Sequence, residues 1–352
     1  MRSYQIVEFG KPLEPREAPD PQPAGAQVLI RTTGCGVCHS DLHLWDGYFD
    51  LGGGQKMDLR DRGMQLPFTM GHEIGGEVIA VGPEAEGVKV GERYVVYPWI
   101  GCGECAACAR GEDLLCANPR TLGVRWAGGY ADRVLVPHPR YLIDFGGVDP
   151  ALACTYACSG LTAYSALRKA TEGLTEQDSV LVIGAGGVGL SAVHLAAAVT
   201  PAKLLVADID PKKREAALAA GAAAAVDNGQ RDDALRELRR LSGGGPAAAI
   251  DFVGAPATAQ FGIDAVRRGG ALVVVGLYGG ALPLPIAMLP LKMLRIVGSY
   301  VGSLDEMRAL MELVKSGRVP PIPVENRPLD AINATLDDLR AGRIVGRVVV
   351  QP

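Results

Sequence analysis

Hydrophobic and polar positions divide the chain into two textures. Up to about residue 150 the apolar positions come in short runs, such as Val28-Leu29-Ile30-Arg31 and Arg93-Tyr94-Val95-Val96, set among Gly- and Pro-rich stretches. This spacing predicts short strands joined by long loops. From about Ser159 onward, apolar runs alternate with Ala-rich stretches. Val180–Ile183, Leu204–Ala207, Ala224–Val226, Ala248–Phe252, Leu272–Val275 and Arg295–Val297 read as strands, with helical segments between most of them. That alternation predicts a parallel, doubly wound sheet. The last segment returns to mixed texture, with a helix near Leu304–Lys315 and a final strand at Arg347–Val350. The expectation is an α/β chain with a β-rich domain over 1–156, a coenzyme-type sheet over 157–296, and a return to the first domain over 297–352.

Bulk composition narrows the classes. A chain of 352 residues is too long for one ordinary core, which agrees with two domains. The net charge is −4 and no Lys/Arg-rich run stands out, so nucleic acid is not an expected partner. Residues 1–10 lack the apolar run of a signal peptide. The apolar stretch Val180–Val199 carries four Gly, a Ser and a His, which suits a turn inside a fold and not a lipid-facing helix. A cytoplasmic location without membrane contact is expected. In such a reducing compartment the eight cysteines point to metal binding or chemistry ahead of disulfides.

The first chemical motif follows the strand Val180–Ile183. Gly184-Ala185-Gly186-Gly187-Val188-Gly189 is a GxGxxG turn with a strand before it and a helix-like stretch after it. Gly184 allows the tight turn, Gly186 lets backbone approach a pyrophosphate at the helix N-terminus, and Gly189 lets helix and strand pack closely. Asp208 ends the second strand about 20 residues on, where an acid accepts from ribose hydroxyls and repels a 2′-phosphate. This favours NAD over NADP. Lys212, Lys213 and Arg214 follow closely and argue the other way.

Two further groups suit metal ions. Cys102, Cys105, Cys108 and Cys116 can converge on one tetrahedral ion, and a closed four-thiolate shell is typical of structural zinc. Two disulfides or an iron site share that spacing. Cys38-His39-Ser40-Asp41-Leu42-His43, with Gly71-His72-Glu73, offers Cys38 and His72 as ligands. A catalytic zinc wants about three protein ligands and an open position, so a third ligand must come from elsewhere.

These motifs together resemble the zinc-containing medium-chain alcohol dehydrogenases of the short-loop microbial type, and the resemblance runs end to end. It implies a GroES-like first domain and a Rossmann coenzyme domain, NAD, one catalytic and one structural zinc per subunit, and a homotetramer or dimer. Cys38, His72 and a third residue would bind the catalytic zinc, and Glu73 could transiently join them. Asp41 would fix the His72 ring. Ser40 would accept the alcohol proton, and His43 would pass it to solvent through the cofactor ribose. Asp208 and Lys213 would hold the adenosine ribose. Arg347 matches the family's pyrophosphate-binding arginine, although Arg343 lies nearby. The third ligand falls at Cys158, directly before a Ser-Gly-x-Thr-x-Tyr run; Cys154, four residues earlier, is the competitor if the segment is helical.

The implied activity is NAD-dependent interconversion of alcohols with aldehydes or ketones. Trp45, Trp99 and Leu277 suggest an apolar pocket for medium-chain, cyclic or aromatic alcohols. The nearest rival is a zinc-dependent polyol or sugar dehydrogenase, which would want polar groups in the pocket. A non-enzymatic zinc-thiolate redox sensor or binding protein is a third reading. The purpose of the Gly-rich insertion Leu51–Gln65, near the pocket mouth or a subunit contact, stays open at this level.

Overall fold

The computed structural model describes all 352 residues. Six parallel strands form one sheet in the order Ala224–Val226, Lys203–Ala207, Ser179–Ile183, Ala248–Asp251, Ala271–Val274 and Arg295–Gly298. All six expected strands are present, each within a residue or so of its expected bounds. The strand Ser179–Ile183 lies in the middle, fully buried, and the strand order reverses around it. Side chains alternate across a strand. Val180 and Val182 therefore join one apolar core, while Leu181 and Ile183 join another with Leu205, Phe261 and Leu272. The reversal leaves a crevice at the carboxyl end of this strand, where doubly wound sheets bind ligands.

The β-rich part centres on Val28–Gly36, which pairs antiparallel with Glu73–Val81 and Arg133–Val136. The C-terminal strand Arg347–Gln351 completes the same sheet, with Val350 opposite Cys35 and Val349 opposite Gly36. The end of the chain thus returns to the segment that leads into Cys38. The helix Leu304–Lys315 forms over its expected span. Ser303 caps it, accepting from the Glu306 N–H while the Glu306 carboxylate accepts from the Ser303 N–H. Its buried face, Met307, Leu310, Met311 and Val314, lies in a core shared with Ile30 and Val78 of the β-rich sheet and Val182 and Val206 of the parallel one. Tyr48–Gly52 and Gln55–Asp58 form a hairpin that leads into the insertion. No helix is long and apolar enough to cross a membrane.

Candidate active site

Three buried groups converge where the two sheets meet. Cys38 follows the strand Val28–Gly36 and is the N-cap of the helix His39–Asp46; His72 precedes the strand Glu73–Val81; Cys158 lies in a helical segment. Their ligand atoms all lie within 4.8 Å of one another. Asp41 ties two of them together. Its Oδ2 accepts from the Cys38 N–H at 2.9 Å, and its Oδ1 lies 3.3 Å from His72 Nδ1. Tyr130 Oη, which no sequence signal singled out, donates to the same Asp41 Oδ2 at 2.7 Å. Both His72 ring nitrogens are buried without a hydrogen-bond partner, Nδ1 having only its approach to Asp41 Oδ1.

The three groups compete for the same protons. Cys38 and Cys158 Sγ lie 3.9 Å apart. The contact with the Cys158 thiol holds Cys38 well below the usual thiol range and lifts Cys158 above it. Burial opposes charge on His72, but Asp41 and Cys38 outweigh it and hold its pKa well above 6.5. Two thiols and an imidazole whose Nε2 has no partner are the donor types zinc prefers, and binding displaces their protons. One side of the trio opens to a cleft of about 330 Å³ that Cys38, Cys158 and Trp99 help to line, leaving room for a fourth ligand.

The choice between Cys154 and Cys158 turns on local geometry. The helix Pro150–Thr155 passes into a π-helical turn over Tyr156–Gly160 before the helix Leu161–Thr171 begins. Residues four apart lie near one face in either kind of turn, so contacts and not spacing decide between the two cysteines. Cys158 points into the trio. Cys154 points away, its Sγ donating to the Ala151 carbonyl at 3.1 Å, and packs with Ala151 and Val349.

The second cysteine group sits on a separate lobe. Sγ separations are 3.5 Å for Cys105–Cys108, 3.8 Å for Cys105–Cys116 and 3.9 Å for Cys102–Cys108. Four sulfurs about 2.3 Å from a tetrahedral zinc stand about 3.8 Å apart, so the lobe fits that ion. All eight cysteines are free, with the lobe's sulfurs at ligand-sharing and not bonding separations. Backbone N–H groups of Cys102 and Asn118 donate to Cys116 Sγ. The Glu104 N–H does the same for Cys102 and is the largest cause of that thiol falling to about 6, whereas burial lifts Cys108 to about 12.

The glycine turn opens onto the same cleft as the trio. Gly184 has φ +86°, and a Cβ on Gly189 would lie 1.8 Å from the Gly184 carbonyl oxygen, so neither position tolerates a side chain. Gly186 has open space around it, next to the first N–H groups of the helix Gly187–Val199. Val188, Asp208, Lys213 and Arg347 line the cleft. Asp208 Oδ2 accepts from the Ala185 N–H at 2.7 Å, which locks the turn to the second strand. Arg214 is committed to the Asp208 carbonyl and to Asp227, so one of the three competing cations is already engaged. Arg347 is buried beside Gly187, and its Nη2 lies 2.5 Å from Glu73 Oε2. Arg343 is exposed and pairs with Asp338, which separates the two arginines.

Glu73 faces Arg347 and the Ser159 N–H, 2.9 Å from Oε1, and stands outside the group of three ligand atoms. Ser40 Oγ lies 3.8 Å from Cys38 Sγ, and His43 lines the cleft with its Nε2 unpartnered. Burial, and then the charge of His39, lowers the His43 pKa. Trp99 walls the cleft, its Nε1 donating to the Ala157 carbonyl at 2.9 Å. Trp45 does not reach the cleft. Two residues beyond His43 on one helix, it points about 200° around the axis. It is buried instead against Arg340, and its indole N–H donates to the Lys11 carbonyl. Leu277 does line the cleft, and so do His39 and Tyr300, neither of which was assigned a role from sequence. Tyr300 meets Trp99 edge-on at 5.5 Å.

Residues 24–145 match the family described as the alcohol dehydrogenase GroES-like domain, and residues 187–316 match the zinc-binding dehydrogenase family. An NAD-dependent alcohol dehydrogenase of Sulfurisphaera tokodaii is 38% identical over 354 residues, covering 100% of both chains. A D-arabinose 1-dehydrogenase (NADP(+)) of Saccharolobus solfataricus is 31% identical, covering 99% of this chain and 96% of that one. Among solved structures, the alcohol dehydrogenase of Aeropyrum pernix superposes with a TM-score of 0.90 at 32% identity, covering 100% of both chains. Both halves are matched in order and the likeness spans the whole chain. The chain therefore belongs to the zinc-containing medium-chain alcohol dehydrogenase family, and its cofactors are NAD and zinc.

Proposed function

We propose that the protein oxidises primary or secondary hydrophobic alcohols, whether medium-chain, cyclic or aromatic, to aldehydes or ketones with NAD, and catalyses the reverse. The observation that carries this reading is the wall facing the trio, which is aromatic where Trp99 meets Tyr300. An apolar wall contributes about 0.8 kcal/mol per buried methylene. It offers sugar hydroxyls few partners, and unpaired polar groups are costly to bury.

Cys38, His72 and Cys158 would hold the catalytic zinc, with Asp41 setting the His72 tautomer. Cys102, Cys105, Cys108 and Cys116 would hold the structural one. When bound, zinc supplies Lewis acidity toward the substrate oxygen and NAD supplies the hydride acceptor. Ser40 takes the hydroxyl proton. His43, neutral because it is buried, carries that proton toward solvent. Gly184, Gly186, Gly187, Val188 and Gly189 admit the pyrophosphate, with Arg347 against it, and Asp208 and Lys213 take the adenosine ribose. Glu73 would have to leave Arg347 to join the metal ligands. Asp208, at the end of its strand, supports NAD over NADP.

We also place the protein in the cytoplasm, which keeps its thiols reduced, and infer a homo-oligomer, a tetramer or dimer. The strand Arg295–Gly298 ends its sheet with one edge unpaired, and Ile286, Leu291 and Met293 are exposed nearby. An apolar open edge of this kind calls for a covering partner.

Incubation with NAD and a panel of alcohols and polyols, followed by NADH absorbance, tests the main reading. Cyclohexanol, benzyl alcohol and 1-octanol should far exceed ethanol in kcat/KM, with sorbitol and glucose near background. Polyols as best substrates would replace this reading with a polyol dehydrogenase.

A further inference from the structure

A second chamber of about 210 Å³ lies against the cleft. Trp99 and Tyr300 wall both spaces. Phe49, on the chamber side, packs on the His43 ring of the cleft with centroids 4.8 Å apart. The chamber therefore lies on the far side of Trp99, Tyr300 and Phe49 from the Ser40 end of the cleft, within reach of a long substrate. Met57, Leu59 and Met64 make part of the wall apolar.

The remainder is strongly basic. Arg62 and Arg125 both line the chamber, and Arg125 Nη1 donates to the Arg62 carbonyl, which joins the two segments. Neither guanidinium has a carboxylate partner within 4.0 Å. The one acid in the lining, Asp113, has its Oδ2 3.6 Å from Arg140, so its charge is already met. Arg62 belongs to the Gly-rich insertion, the segment to which the alcohol-oxidising machinery assigns no role. The insertion thus lines the chamber, just beyond its hairpin, with an exposed guanidinium that has no carboxylate partner.

We propose that the chamber receives the far end of an alcohol that carries a carboxylate, with an apolar chain between its two polar ends, and that Arg62 and Arg125 bind that carboxylate. Guanidinium and carboxylate match in charge and in planar, forked geometry. The proposal rests on the alcohol dehydrogenase reading above and names the substrate class of that site.

The test compares 8-hydroxyoctanoate, its methyl ester and 1-octanol as substrates of the zinc-loaded enzyme with saturating NAD in low-salt buffer. The acid should exceed the ester in kcat/KM by about tenfold or more, the effect of one charge-assisted contact. Because Arg62 is exposed, added salt should shrink that advantage. Arg62→Gln and Arg125→Gln should each bring the acid-to-ester ratio close to unity, chiefly through KM. The Arg62 side chain makes no hydrogen bond within the fold, so that variant decides the matter if Arg125→Gln does not fold. If 1-octanol is oxidised but the ester equals or beats the acid, here and with shorter and longer homologues, the proposal fails and the hydrophobic-alcohol reading stands. If none of the three is oxidised, both fail.

Discussion

Cys154 and Cys158 are the same residue type, both buried, four positions apart, and only one faces the trio. Cys158→Ala should empty the catalytic site and abolish activity, while the lobe keeps its metal. Cys154→Ala should leave metal content unchanged and cost about 1 kcal/mol, the scale of a small buried deletion. Zinc analysis of both variants checks this, and swapped outcomes would overturn the ligand assignment. His43 is a second case. Its lowered pKa keeps the imidazole neutral at pH 7, so its capacity to accept a proton persists until the pH falls below 6.5. Over that same acid range the unfolded chain binds the proton first, so this ring's contribution to stability is present at neutral pH and lost on acidification. His43→Gln should slow alcohol oxidation by about 10²-fold near neutral pH, less if water bypasses it, and recover partly in alkaline buffer. A pH–rate profile parallel to that of the parent protein would remove His43 from the proton path.

At the scale of elements, the glycine turn and the cysteine lobe make opposite demands. The turn needs atoms to be absent. Gly189→Ala would place a Cβ 1.8 Å from the Gly184 carbonyl oxygen, so backbone must move where helix and strand are closest. NADH binding, followed by fluorescence titration, should weaken by about tenfold or more, the effect of losing well-placed backbone contacts. Unchanged affinity would show that the turn does not hold the pyrophosphate. The lobe needs an added ion. Its helix Ala106–Ala109 has no buried residue, so metal ligation and not packing must hold it. Cys105→Ala should lower the melting temperature and remove about half of the zinc. An active, well-washed preparation of the parent protein with one zinc per chain would refute the two-site reading.

At the scale of the whole molecule, cofactor choice and assembly depend on surfaces that several elements build together. Asp208 accepts backbone hydrogen bonds from Ala185 and Asp210, so Asp208→Asn is the gentler probe because it keeps an acceptor and removes the charge. NAD should be preferred by the parent protein. The variant should narrow the NAD/NADP ratio by roughly 1.5–3 kcal/mol, the worth of a charged hydrogen bond. A parent protein that prefers NADP would show that Lys212 and Lys213 outweigh Asp208. Assembly is read by sedimentation. If the open edge at Arg295–Gly298 is covered by another copy, Ile296→Lys should shift the protein toward a smaller species. A monomeric parent would dismiss the interface.

Much of this was legible in the residue string because it is local chemistry. The strands of the parallel sheet, the helix Leu304–Lys315, the glycine turn and the four-cysteine lobe each lie within a short stretch whose residue types set backbone freedom, burial or ligand spacing. Cys38 and His72 were legible for a similar reason, each inside a dense polar group. Tertiary structure decided what depends on direction and on distant segments. The packing of this segment, which periodicity does not encode, set Cys158 against Cys38 and His72 and left Cys154 against Ala151 and Val349. Pairing of Arg347–Gln351 with Val28–Gly36 brought Arg347 to Glu73 and Gly187, whereas Arg343 stayed outside with Asp338. Helix rotation carried Trp45 away from the cleft, although it follows His43 by only two residues. Tyr130, Tyr300 and Phe49 carry no motif at all. They reach the site because sheet pairing and chain reversal bring together residues far apart in sequence, and hydrophobic burial, being non-directional, leaves the choice of neighbours to the whole fold.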